Sequence, residues 1–289
     1  MSSVYHTSSG VPFDWDALTF DPVDDDLATG QRWSTWTSVE RLSRGPEPRP
    51  DWVVTSEAAI DTELGVLKTG KEADVFLLER AVPDDPARHS LLAAKRYRTA
   101  EHRLFRRDDG YTQGRVGRDS RENRAVRNGS AFGRDIEAVR WANAEFATLS
   151  LLYSEGVPVP YPVQIDGREV LMEFVAESDA AAPRLAQTSP TPAELAALWE
   201  QLVAAMTTMA GLHLAHADLS PYNALVRGLG GGRPELFVID VPQAVDLVAN
   251  PDGVGYLHRD CRTMASWFVR RGLDVDADAL LAELLAAAW

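Results

Sequence analysis

A single cysteine, Cys261, in 289 residues leaves no partner for an internal disulfide and no thiol set for a cysteine-rich zinc site. Its setting, H-R-D-C-R-T-M-A-S-W-F, is that of a small buried helical residue. Long apolar runs are also missing, and nothing approaches the ~20 residues that a membrane-spanning helix needs. The first ten residues, M-S-S-V-Y-H-T-S-S-G, have neither the basic start nor the apolar core of a secretory signal. The expectation is a cytoplasmic protein with no membrane partner. Positive charge is short, with a formal net charge of −14, which disfavours nonspecific nucleic-acid binding by the molecule as a whole. Lysine is scarcer still: Lys68, Lys71 and Lys95 are the only three among 29 lysine and arginine residues.

A chain that uses arginine wherever a generic cation serves keeps lysine where a compact ammonium is needed, because the planar guanidinium fork does not replace it. Lys95 closes the apolar strand-like run S-L-L-A-A-K, as a strand lysine aimed into a cleft would. Lys68 and Lys71 flank Thr69 and Gly70 in a tight turn. Further along, A-H-A-D-L-S-P-Y-N-A-L-V, a glycine-rich turn at residues 230–232 and F-V-I-D-V set out the parts of a metal-dependent phosphoryl-transfer site. Asn223 and Asp240 offer the hard oxygens that magnesium takes while keeping waters and phosphate oxygens for its other positions. Asp218 is the carboxylate placed to orient an attacking hydroxyl and relieve it of its proton. His216 reads more simply as a loop brace. Each residue alone is an ordinary turn former, but their order and spacing together are not ordinary.

The length and the 45% hydrophobic content fit one kinase-sized bilobal unit or two small domains. Residues 1–50 are acidic, with Asp24, Asp25 and Asp26 in a row, and read as a partly ordered extension or a strap along the surface. Residues 64–78 read as strand, turn, strand, with a third strand over about 91–97. Arginine-rich sequence to about 134 reads as a long loop. From Asp135 the spacing Ile136, Val139, Ala142, Phe146, Leu149, Leu152 is helical, and G-V-P-V-P ends it. Residues 163–165 and 170–175 look like two more strands around D-G-R. An alanine-rich connection over 176–193 precedes three helices near 192–214, 256–271 and 276–288. The domain reading is a small lobe over 51–175, with the loop at 99–134, and a large lobe over 176–289.

Six separated segments, L-K-T-G-K-E-A-D-V-F, A-A-K-R-Y-R, W-A-N-A-E-F-A-T-L, V-L-M-E-F-V, H-A-D-L-S-P-Y-N and I-D-V-P-Q-A-V-D, together resemble the RIO family of atypical serine/threonine protein kinases over about residues 60–270. With no winged-helix segment recognisable before residue 60, the resemblance is to the RIO1-like rather than the RIO2-like branch. It implies an α+β, bilobal protein-kinase-like fold, with an antiparallel small-lobe sheet, a helical large lobe and no usual activation segment: no A-P-E element follows Asp240. It also implies ATP and magnesium as cofactors, with manganese as a substitute. Lys95 would hold phosphates while paired with Glu145. Thr69, Gly70, Lys71 and Glu72 would replace the G-x-G-x-x-G loop. Met172 would stand beside adenine, with the Glu173 carbonyl and the Val175 amide at its edge. Asp218 would be the base, and Asn223 and Asp240 the metal ligands, with Asp240 open to a second role as an aspartyl-phosphate acceptor. The family commonly carries glycine where Ala217 stands and an acidic residue where Pro221 stands.

Residues 96–140 hold twelve arginines against seven acidic residues, a local surplus suited to RNA phosphates or an acidic partner; the family resemblance implies ribosomal RNA or a pre-ribosomal particle. The equal alternative is a solvated loop over the site, and the Asp24–Asp26 run is a candidate to fold back on it. The leading expectation is a kinase or ATPase that phosphorylates itself, with its protein substrate unknown. The rivals are a small-molecule phosphotransferase of the aminoglycoside or choline kinase type, and a nucleotide-gated ribosome-assembly factor with little turnover.

Overall fold

The computed structural model describes residues 27–83, 85–98, 131–178, 180–231, 233–241 and 244–289. The Asp24–Asp26 run, Gly232, Gln243 and the arginine-rich residues 99–130 lie outside them, and so do the readings that rest on these residues.

The small lobe is a six-stranded antiparallel sheet of β1 (Gln31–Trp33), β2 (Ile60–Thr69), β3 (Ala73–Val82), β4 (Asp85–Tyr97), β5 (Pro162–Asp166) and β6 (Glu169–Glu173), ordered β1-β2-β3-β4-β6-β5. Period-two alternation gives it two faces, and both are covered. Leu78, Leu92, Ala94, Val163 and Leu171 pack on one side under Trp36 and Val53. Ala73, Tyr97, Ile165 and Val170 pack on the other, against Ala138, Ala142 and Phe146 of helix α1 (Ala131–Ser154). The alanines at 138 and 142 face the sheet while Val139 is exposed. Counting bulky apolar residues therefore picked the wrong neighbour at the start of this helix, because close packing on the sheet selects small side chains there. Helix α1 ends where Gly156 takes a left-handed φ of 78° and the Val157 amide reaches back to the Leu152 carbonyl at 2.9 Å, a closure that glycine allows without strain.

Residues 27–50, assigned from composition to an extension, are built into this lobe. Trp36 is only 4% exposed, β1 pairs with β2, and the Gly45 amide donates to the Val163 carbonyl. Beneath them Arg80, fully buried, donates to both Asp61 oxygens at 2.6 and 2.9 Å and to Gln164 at 2.8 Å, tying β2, β3 and β5 together.

After the short pair β7 (Ala176–Glu177) and β8 (Ala180–Ala181) comes the large lobe. It is built on α2 (Pro192–Gly211), α3 (Gly253–Val269) and α4 (Ala277–Ala288). Helix α2 starts on a reciprocal cap between Thr191 and Glu194 with proline at its head. Glu194 also accepts the Gly230 amide at 2.6 Å, so the cap fastens the glycine-rich turn. Two small ribbons lie on these helices: β9 (Leu214–Ala215) with β12 (Val245–Asp246), and β10 (Ala224–Arg227) with β11 (Glu235–Val238). Among the described residues no helix is long and apolar enough to cross a membrane.

Candidate active site

Lys95 stands opposite Val75 of β3 and Val170 of β6, and Ala93 stands opposite Leu77 and Met172. Alternation places all of these on one sheet face, toward α1 and the large lobe. There Lys95 Nζ donates to Glu145 Oε1 at 2.6 Å and to Asp240 Oδ1 at 2.9 Å. Glu145 is 1% exposed, and its second oxygen accepts the Tyr97 hydroxyl at 2.5 Å. Burial works against the charge on Lys95, but Glu145 and then Asp240 outweigh it and hold the ammonium above its ordinary pKa. Burial raises the Tyr97 hydroxyl well above the ordinary phenol value, with Glu145 adding to the effect. Burial also pushes Asp240 up, yet Lys95 and then Lys68 bring it down to about 2. Asp240 is therefore ionised at neutral pH, with its backbone left-handed at φ 66°.

The loop at 216–223 is held from below. Asp260 on α3 accepts the Ala217 amide at 2.7 Å and the Leu219 amide at 2.9 Å, and Arg259 donates to the Ala217 carbonyl. Ala217 is left-handed at φ 68°, a conformation that costs a residue with a Cβ roughly 1–2 kcal/mol, and the Asp260 contacts offset that cost. His216, 2% exposed, hydrogen-bonds through Nε2 to the Ile239 carbonyl at 3.0 Å. Burial lowers its pKa, so the neutral ring donates from Nε2 and ties the loop to the chain just before Asp240.

Asn223 completes the set. Its Nδ2 donates to the Asp218 carbonyl at 2.9 Å and approaches Asp218 Oδ2 at 3.4 Å. The Asn223 carbonyl accepts the Ile239 amide at 3.0 Å, which sets Asp240 one residue beyond Asn223's neighbour. With Nδ2 committed, Oδ1 is the free end of the amide. One amide oxygen and one ionised carboxylate fit a hard cation that retains waters and phosphate oxygens. Among the described residues no group of three or more His, Cys, Asp or Glu gathers as a metal cage.

Thr69, Gly70, Lys71 and Glu72 form the β2–β3 turn. The Gly70 amide donates to the Ala73 carbonyl at 3.0 Å, and a Cβ on Gly70 would fall 2.7 Å from that oxygen, so only glycine fits. Met172 is half-buried and touches the cores of both lobes. Glu173 is drawn into the frame, with its carboxylate accepting the Tyr161 amide at 3.2 Å. The Val175 carbonyl accepts the Ala182 amide. Lys95, Glu145 and Asp240 thus touch directly, Asp218 and Asn223 touch each other, and the backbone joins the two groups.

Three contributors escaped the sequence reading: Asp260, Arg259 and Tyr97. Asp260 left a signal, an acid on the same helical stripe as Leu257, Cys261 and Met264, all buried. A buried carboxylate in such a stripe needs donors, and the loop amides are those donors. Burial pushes Asp260 up to about 7, against the pull of the two amides and Arg259.

A family model described as the RIO domain matches residues 83–280. The RIO-type serine/threonine-protein kinase Rio1 of Haloferax volcanii is 33% identical over 227 residues, covering 78% of this chain and 70% of that protein. The human serine/threonine-protein kinase RIO1 is 29% identical over 219 residues, 75% of this chain but 35% of the human one. The chain therefore matches about a third of its human relative. Among solved structures, the Rio2 kinase-ADP/Mg2+-phosphoaspartate complex of Chaetomium thermophilum superposes with a TM-score of 0.54 at 24% identity, covering 78% of this chain and 65% of that one.

Proposed function

The chain belongs to the RIO family of atypical serine/threonine protein kinases, and from that premise we propose that it transfers the γ-phosphate of ATP, with magnesium, to a protein hydroxyl and transiently to its own Asp240. The observation that carries this is the single ammonium of Lys95 held between a buried acid of the small lobe, Glu145, and an ionised acid of the large lobe, Asp240. Lys95, kept charged and fixed by Glu145, binds the α- and β-phosphates. Asn223 Oδ1 and Asp240 would hold the cation, and magnesium there would supply positive charge to offset that of the transferred group. Asp218, exposed on a loop clamped by Asp260 and Asn223, accepts the hydroxyl proton as the new bond to phosphorus forms and the bond to ADP breaks. Met172 and Ala93 wall the adenine, with the Glu173 carbonyl and the Val175 amide at its edge.

Asp240 as phosphate acceptor is supported by the related Rio2 kinase, whose structure contains a phosphoaspartate. In that step an Asp240 oxygen attacks phosphorus, the bond to ADP breaks, and water later releases phosphate. The protein labelled with γ-labelled ATP separates the two acceptors. Label lost in hydroxylamine and absent from Asp240→Asn marks the aspartyl phosphate, and label that survives acid and hydroxylamine and needs Asp218 marks a serine or threonine. Label independent of both residues would overturn the assignment. Ribosomal RNA remains the partner we propose for residues 99–134, on the strength of their arginine surplus. Salt-sensitive RNA binding that falls on replacing Arg103, Arg106 and Arg107 is the expected result, and no binding at low salt would refute it.

A further inference from the structure

Asp240 faces two ammonium groups, and the function proposed above uses only one. Its Oδ1 accepts from Lys95 at 2.9 Å, while its Oδ2 lies 3.8 Å from Lys68 Nζ. The two lysines share a sheet face, since Lys68 of β2 stands opposite Val75, which stands opposite Lys95. They differ in every other respect. The Lys95 side chain is 12% exposed and closely matched by Glu145; that of Lys68 is 48% exposed, at the end of β2 beside the glycine turn. Lys95 divides its charge between Glu145 and Asp240, and Lys68 supplies a second positive charge beside Asp240. Two of the three lysines in an arginine-biased chain thus meet one carboxylate.

We infer that Lys68 is an exchangeable phosphate clamp: it pairs with Asp240 in the nucleotide-free protein and passes to the γ-phosphate when ATP binds. This rests on the proposed function and deepens it. A separation of 3.8 Å is beyond a normal hydrogen bond, and a solvated pair of this kind is weak, so the contact exchanges at small cost. The stem of Lys68 is rooted in a strand, and its ammonium can move to a neighbouring oxygen by rotating side-chain bonds alone. When Asp240 turns to the cation, Lys68 loses its partner at the position where a terminal phosphate brings in negative charge. ADP has no such group, so the clamp distinguishes triphosphate from diphosphate.

The test compares Lys68→Met and Lys68→Arg with the wild type in magnesium, titrating β,γ-imido-ATP and ADP by calorimetry. Lys68→Met should weaken the triphosphate analogue about tenfold, the scale of one charged hydrogen bond, and ADP hardly at all. Lys68→Arg should recover part of the loss, and the melting temperature of the free proteins should agree. Equal weakening of both nucleotides, or of neither, overturns the clamp while leaving the proposed function standing. A wild type that binds neither nucleotide overturns both.

Discussion

Glu145 and Asp260 are the two carboxylates whose burial decides what the site can do. Glu145 has both oxygens engaged, by Lys95 and by Tyr97, so Glu145→Ala leaves an ammonium and a hydroxyl short of a partner. Breaking a buried pair costs about 3–5 kcal/mol, and since Lys95 keeps Asp240, the lower end of that range is expected in urea unfolding, with nucleotide binding weakened as well. Asp260 makes an opposite pH signature to Asp240. Its folded pKa of about 7 lies above the ordinary 3.8, so the folded protein binds that proton more tightly than the unfolded chain. Its contribution is therefore full below about pH 4 and lost as pH rises through 7. Asp240, at about 2 against 3.8, contributes above about pH 4 and loses that contribution as pH falls through 2. Unfolding free energy measured from pH 4 to 8 should therefore decline less steeply in Asp260→Asn than in the wild type, and an unchanged slope would show that Asp260 does not titrate there.

Elements explain which parts could be read from sequence. The strands around Lys95 and the loop carrying Asp218 and Asn223 announce themselves, because alternation and turn chemistry are local. Residues 27–50 do not: acidic composition argues for an extension, whereas Trp36 joins a core cluster with Leu78, Leu92 and Leu171, residues distant in sequence. Trp36→Ala should cost about 3–5 kcal/mol, read as a lowered urea midpoint; a cost near zero would return this segment to the surface. Arg80 makes the same point with charge, since nothing local pairs it with Asp61 and Gln164. Arg80→Ala should destabilise by about 3–5 kcal/mol, and the double change Arg80→Met with Asp61→Leu should recover most of the loss. The loop clamp at Asp260 was hidden for a related reason. It joins α3 to residues more than forty positions earlier, and only the acid on an apolar stripe hinted at it.

Across the whole molecule the small lobe brings Lys95 and Glu145, the large lobe brings Asp240, and one ammonium joins them. The chemistry follows from that meeting, with Asn223 and Asp218 aligned by the backbone link to Ile239. The most direct measurement is incubation of the full chain with γ-labelled ATP and magnesium, following both protein-bound label and free phosphate, with Lys95→Met and Asp218→Ala alongside. The expected result is time-dependent label or phosphate release by the wild type, with Lys95→Met inactive and Asp218→Ala unable to label a hydroxyl. A wild type that binds ATP yet neither labels itself nor releases phosphate would contradict the assignment.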